Sequence, residues 1–597
     1  MGILKRSEID NKYKWDLTKI FKSDKEFNDT IEEVNQLLDE IIKYKGRIFE
    51  STDTLLEFLK LDTKIDILTE RVYIYAYLGH YDNMSDNEFL HKKEKASNLI
   101  NKSSSVRAFI NPEILSKDYD KVKEMLSLNS ELNKYSFTFE KIFRSKKYVL
   151  SEKEETILSN VNEALSASIS AFNALSYVDI SLGFIKDEDG KRVELTNSNY
   201  GKYITSNKRN VRKNVFKKDN KYYENHINTL SALYIGKVKT NAFSSKTRKY
   251  DSILDMYLYP DKISTKLYEN LIKITNKNTK YLKDYYRLKG SMLGYKLHMY
   301  DLYVNTSLVP KKDIPYEEGI KIVNKALKPL GEEYLKVFNK LLNNNCISVY
   351  PSKAKRSGAF EWCTYGIEPY VSLNYENDID SVSTLAHEMG HAMHSYYSNK
   401  NQDYINADYP IFLAEIASTV NEVLLSNYLI NNTNDINEKI YYIVEFLDKF
   451  KGTVYRQMMF AEFEDIIHKK YENGEVITKD LLCKTYYDLN RKQFSGAVIV
   501  DKDIQYEWSK IPHFYTSFYV YKYATGFISA LLIADKLIHD KDFKDRYIEF
   551  LSSGCSDYPQ ELLNKLGIDL NDENTLNNAF LLFNDKVKLL NKYVNGE

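Results

Sequence analysis

Apolar residues recur at three- and four-residue intervals through TLLEFLKLDTKIDILTERVYIYAYLGHY (residues 54–81), the pattern of an amphipathic helix. Pro112 is the single proline before residue 260, so long helices are expected to run almost unbroken through the N-terminal part of the chain. One interruption is clear. FIKDEDGKRVEL (184–195) sets Asp189–Gly190 between two short alternating runs, which predicts a β-hairpin.

The texture changes where prolines cluster, ahead of residue 410. GAFEWCTYGIEPYVSLNYEN (358–377) holds two short runs of aromatic and branched residues, split by Gly366 and Pro369. It predicts a small sheet that leads into a helix from about Asp380, with Asp380, Ser381 and Ser383 as candidate caps. From residue 411 onward the pattern is helical again. The fold class expected is mainly α with a small β element. At 597 residues the chain is long enough for more than one lobe. A helical domain over 1–200, containing the hairpin, and a second domain over 201–597 are expected.

Composition removes several function classes. Lys+Arg and Asp+Glu are both 84, so no excess of cations is present to displace phosphate counterions, and no nucleic-acid partner is expected. No run of about 18 apolar residues exists to span a membrane. The N-terminus, MGILKRSEIDNKYKWDL, has no apolar stretch of signal-peptide length. Cys346, Cys363, Cys483 and Cys555 are scattered and read as reduced thiols. A cytoplasmic location is the expectation.

The candidate chemistry lies in LAHEMGHAMHSYY (385–397). In HEMGH, His387 and His391 sit four apart, so on a helix both imidazoles can reach one ion. Glu388 follows the first histidine, where its carboxylate can hold water beside the ion rather than ligate it. Chance places such a motif in only about one chain in a hundred of this composition. A catalytic zinc usually takes three protein ligands. His394 is a poor third, because it lies roughly 10 Å along the helix axis from His387. The longer metzincin motif also fails, since Tyr397 stands where it needs histidine. Better candidates lie in DYPIFLAEIASTVNEVLL (408–425), where Asp408 and Pro410 open a new helix. Glu415 falls in its first turns, and Glu422 lies seven residues on along the same face. Glu422 could instead orient a ligand histidine. Chemistry alone leaves both open, with Glu415 preferred.

HEMGH followed by FLAEIASTVNE resembles the thimet-oligopeptidase-like (M3) zinc metallopeptidases, and within them the oligoendopeptidase F branch. KYKWDL, GAFEW…PYVSLNY and HFYTSFYVYKYATG (513–526) extend the resemblance over nearly the whole chain. It implies that Glu415 is the third ligand, beside His387 and His391, of one zinc per chain. It also implies a two-lobed helical molecule whose zinc lies in a deep channel that admits short peptides. His513 with its neighbouring tyrosines resembles the family segment that contacts substrate. Phe518 and Thr525 occupy the places where the thimet branch has tyrosine, so the nearest match is Tyr-x-Tyr at 521–523. Tyr523 is the first choice as donor to the reacting carbonyl, Tyr521 the second, and His513 a neighbouring donor.

The function expected is a zinc endopeptidase acting on internal bonds of oligopeptides, with Glu388 as general base. PYVSLNY is expected to pair with the peptide backbone as an added strand. A zinc exopeptidase on the same site is the alternative, and a non-catalytic peptide-binding protein a more distant one. Cleavage preference and oligomeric state are not legible.

Overall fold

A computed structural model of the chain describes residues 4–306 and 312–596. Helices dominate and the strands are short. Contacts group the chain into two compact units, each assembled from three stretches. The first is Met1–Lys147, Lys311–Tyr428 and Ser529–Ile568; the second is Tyr148–Pro310, Leu429–Ile528 and Asp569–Glu597. This is a different partition from a single cut at residue 200, and it groups the hairpin with the second unit.

In the first unit, α1 (Asp24–Ile41), α2 (Thr52–Asp82) and α3 (Asn87–Val106) are capped by Ser23, Ser51 and Asp86, whose side chains accept first-turn N–H groups. The apolar stripe of 54–81 is thus one helix of 31 residues. Phe27, Val34, Leu38 and Ile41 of α1 share a core with Leu55, Phe58, Ile65 and Val72 of α2. Burial of each such side chain contributes about 1.5–3 kcal/mol.

The predicted small sheet consists of β1 (Ile347–Ser348), β2 (Phe360–Trp362) and β3 (Tyr370–Ser372). Its order is β1-β3-β2, with β3 parallel to β1 and antiparallel to β2. The sequence expectation for PYVSLNY needs correction here. Its strand, β3, is central, so both of its edges are already filled by neighbours. The open edge belongs to β2. Glu361 stands opposite Val371, whose N–H donates instead to the Cys346 carbonyl at 2.9 Å. The two residues therefore form a non-hydrogen-bonded pair, and the backbone groups of Glu361 face away from β3. Trp362 lies against Tyr73, Tyr77 and Tyr81 of α2, with ring centroids 5.6, 6.0 and 6.3 Å away. The long N-terminal helix thereby fixes the strand.

Next come α4 (Ile379–Asn401) and α5 (Ile411–Asn432). The cap of α4 is Asp378, which accepts the Ser381 N–H at 2.9 Å. That is two residues before the expected Asp380, because Asp378 is the last extended residue whose carboxylate reaches the first turn.

In the second unit the hairpin pairs Phe184–Lys186 with Arg192–Glu194, as its sequence predicts. The Asp187 carboxylate accepts N–H groups of Asp189 and Lys191, and Gly190 takes the left-handed turn position at φ +80°. An aromatic cluster of Tyr234, Phe463, Trp508 and Phe514 underlies the segment that begins at Pro512. Among the described residues, no helix is long and apolar enough to cross a membrane.

Candidate active site

His387 and His391 lie one turn apart on α4, with their Nε2 atoms 3.2 Å from each other. Near the start of α5, Glu415 brings Oε2 to 3.6 Å from His387 Nε2 and 3.9 Å from His391 Nε2. Zinc bound at about 2.0–2.2 Å to each donor, at tetrahedral angles, needs ligand atoms roughly 3.3–3.6 Å apart. The three donors fit an ion. Among the described residues, no other group of three does.

The remaining ring nitrogens explain the orientation. His387 Nδ1 lies 3.0 Å from Glu422 Oε1, and the His391 ring donates to the Ala414 carbonyl. With those protons on the outer nitrogens, both Nε2 lone pairs face one another and the Glu415 oxygen. Such a cluster repels itself unless a cation sits among its members. Glu422 thus meets the outer nitrogen of His387, and Glu415 completes the group of three that could hold an ion.

Two residues bring the helices close enough for this. A Cβ on Gly390 would come within 2.5 Å of Ser418 Cα and 2.8 Å of the Ala417 carbonyl oxygen. In the sequence Gly390 is only a weak point in a helix; in the fold it lets α5 approach α4. Asn421, fully buried, donates to the Ala386 carbonyl at 3.0 Å and ties the pair together.

Charge and burial act together on this cluster. Burial raises the Glu388 carboxyl to about 7; the His387 ring opposes the shift, while Glu415 and Glu422 add to it. The Glu388 carboxylate accepts the backbone N–H of Glu361, on the open edge of β2. Burial also lowers His391 to about 3, with His387 adding to the effect. Burial works against charge on His387 as well, but the hydrogen bond its ring donates to Glu422 and the surrounding carboxylates raise it overall. His394 stands apart from the group. It is 1 % exposed and stacked on Tyr409 with ring centroids 3.7 Å apart, and burial holds it neutral.

Sequence reading missed Glu361. Burial raises its carboxyl to about 8, against a hydrogen bond from Ser395 and with help from Glu388. The available signal was an acidic residue at the centre of an aromatic β run.

In the second unit, His513 Nε2 and the Tyr523 hydroxyl are 3.2 Å apart, and the Tyr519 ring lies 5.4 Å from that of Tyr523. Burial lowers His513, so its imidazole is neutral at pH 7. Tyr521 differs from the expectation. It is fully buried, its ring 5.4 Å from that of Tyr268, because the helix beginning there turns position 521 into the core. In this structure the Tyr521 ring packs in the core. The segment is held from below by residues the sequence did not flag. Phe518 adopts φ +54° and its N–H donates to the buried Glu464 carboxylate at 3.0 Å. Asn241 bonds Ser517 at 2.8 Å and His468 at 3.0 Å.

Comparison with known proteins places the chain. Residues 202–582 match the profile of peptidase family M3, and residues 113–181 match a profile described as oligopeptidase F. Oligopeptidase PepF of Bacillus subtilis is 38% identical over 584 residues, covering 98% of this chain and 87% of its own. The plasmid-encoded oligoendopeptidase F of Lactococcus lactis subsp. cremoris is 34% identical over 592 residues, covering 99% and 98%. Of the solved structures, oligoendopeptidase-F from Enterococcus faecium aligns with a TM-score of 0.74 at 30% identity, covering 96% of this chain and all of that one. A Chlamydophila abortus chain aligns with a TM-score of 0.92 at 32% identity, over 99% of this chain. With relatives of this identity matched along nearly their whole length, the chain belongs to peptidase family M3, in its oligopeptidase F group.

Proposed function

We propose that this protein is a zinc-dependent oligoendopeptidase in which His387, His391 and Glu415 hold one zinc per chain. The observation that carries the reading is the convergence of three donor atoms, two of them imidazole nitrogens whose rings' outer hydrogen bonds leave the inner lone pairs turned toward the Glu415 oxygen. A zinc ion there supplies Lewis acidity, which lowers the pKa of water to about 7 and polarises a carbonyl.

The chain's own groups perform the proton transfers. Glu388 accepts the proton of the attacking water and passes it to the departing amine nitrogen. Its raised carboxyl suits both directions of transfer near neutral pH. Glu422 keeps the His387 proton on Nδ1. The peptide backbone pairs with the open edge of β2, which lays the scissile bond beside Glu388 and leaves side-chain choice loose. His513 and Tyr523 are assigned as donors to substrate, from the resemblance of their segment and from the pair they make with each other. The machinery is assigned to residues 201–597, in keeping with the span of the M3 profile. A cytoplasmic location goes with four cysteines that are all free thiols.

Metal analysis of the purified protein is expected to give about one zinc per chain. Mass-spectrometric mapping of a mixture of end-blocked peptides should find internal cuts that disappear with chelator. Cutting that persists after complete zinc removal, or that requires a free terminus, refutes the reading. Tyr523→Phe is expected to lower kcat by roughly 10²- to 10³-fold with KM and zinc content unchanged, the usual effect of removing one donor to a developing oxyanion. A kinetically silent Tyr523→Phe returns the residue to the packing of its segment.

A further inference from the structure

His513 and Tyr523 meet across a sharp reversal of the chain, and two adjacent residues of that reversal are pinned from one helix. Phe518, 2 % exposed, holds φ at +54°, a left-handed backbone that residues with side chains rarely adopt. Such a conformation persists only where its surroundings fix it. Its N–H donates at 3.0 Å to Glu464 Oε1, in the middle of the helix Arg456–Glu472. The neighbouring Ser517 is reached by a relay from the same residue. The Glu464 carbonyl accepts from His468 Nδ1 at 2.8 Å, which leaves Nε2 of that neutral ring to accept from Asn241 Nδ2 at 3.0 Å. Asn241 Nδ2 also donates to Ser517 Oγ at 2.8 Å, and the Tyr257 hydroxyl donates to Asn241 Oδ1 at 2.9 Å.

Packing does not account for an acid at position 464. The residue is fully buried, and its Oε2 makes no hydrogen bond. Burial raises the carboxyl to about 8, against the Phe518 N–H and the charge of Lys237. An apolar side chain of that size would fill the place at less cost. What the carboxyl supplies is an acceptor for a buried N–H that belongs to no helix or strand. Just beyond Phe518, the Tyr519 ring stacks on that of His513 with centroids 6.3 Å apart, and Tyr523 lies in the first turn of the helix Tyr521–His539. A rotation of the backbone at 518 therefore carries both tyrosines away from His513.

We propose that Glu464 is the positioning residue of the His513–Tyr523 pair: through the Phe518 N–H it holds the chain reversal that sets the two side chains against each other. The consequence for turnover rests on the reading of that pair as donors to substrate. 3-Fluorotyrosine at position 523 reports on the pair by fluorine NMR without any substrate. Glu464→Met keeps the length of the side chain but has no acceptor for the N–H, and should move that resonance. Glu464→Gln, whose amide oxygen still accepts from Phe518, should leave it in place. An unmoved resonance in the folded Met variant overturns the proposal, as does a Gln variant that moves as far as Met. In the zinc-loaded enzyme Glu464→Met should lower kcat by about 10²-fold, the effect of displacing a group by about 1 Å, with KM and zinc content unchanged and the rate restored in Glu464→Gln. Added to Tyr523→Phe it should cost little more, since both changes act through one hydroxyl. Two losses that simply add show that Glu464 does not act through Tyr523, and overturn the proposal. If the resonance responds as expected while Tyr523→Phe is kinetically silent, the positioning stands and the donor reading falls. Should Glu464→Met not fold, Glu464→Asp, which draws the acid back by one methylene, carries the same measurements with the same expected directions.

Discussion

Glu388→Gln is expected to keep its zinc and lose turnover, with kcat falling by about 10²- to 10⁴-fold. The amide matches the carboxylate in shape and still accepts the Glu361 N–H through its carbonyl oxygen, so the local packing survives. What it loses is basicity, since an amide cannot take a proton from water and return it to the leaving nitrogen. The metal donors are untouched, because Glu388 is outside the group formed by His387, His391 and Glu415. Zinc content by mass spectrometry and single-turnover rates on one peptide test both halves. Loss of zinc from this variant would place Glu388 among the ligands instead, and a normal rate would remove it from the mechanism.

Glu415→Ala should act in the opposite way, losing the metal and therefore activity together. Removing one of three protein donors leaves two histidines that cannot complete a closed ligand set. Glu422→Ala is the sharper comparison, because the two carboxylates lie seven residues apart on one helix. Glu422 meets the outer nitrogen of His387, not the inner one, so its loss frees the ring to rotate or change tautomer. A weakening of zinc affinity by about 10- to 100-fold is expected there. Competition with a fluorescent chelator measures both variants. If Glu422→Ala loses metal while Glu415→Ala retains it, the two roles are exchanged.

The sequence disclosed the juxtaposed histidine pair because its spacing is set by one helix, and helix geometry is local. It disclosed the hairpin at Asp189–Gly190 for the same reason. The choice between Glu415 and Glu422 was harder, because it depends on the approach of α5 to α4, and that approach is fixed by Gly390 and Asn421. A glycine that clears space for another helix looks, in a linear string, like any helix-weakening residue. The assignment of PYVSLNY failed on a related point. Apolar alternation identifies a strand but carries no information on how many neighbours it has, and β3 proved to be central. The burial of Tyr521 was not legible, because an aromatic residue at a helix start can face core or solvent, and its packing partner Tyr268 lies far away in the chain. Glu464, beneath Phe518, and Glu361, beside Glu388, left no pattern of their own, since single buried acids have no periodicity.

The stretches of the two compact units alternate along the chain, and this has a consequence for biosynthesis. The first unit receives its last stretch at Ser529–Ile568, and the second at Asp569–Glu597. A ribosome therefore releases the histidine helix long before the residues that finish its own unit have been made. Neither unit can close during translation until almost all of the chain has emerged. No contiguous fragment contains the whole of one unit without stretches of the other, and a chain stalled short of its final helices exposes two unfinished cores at once.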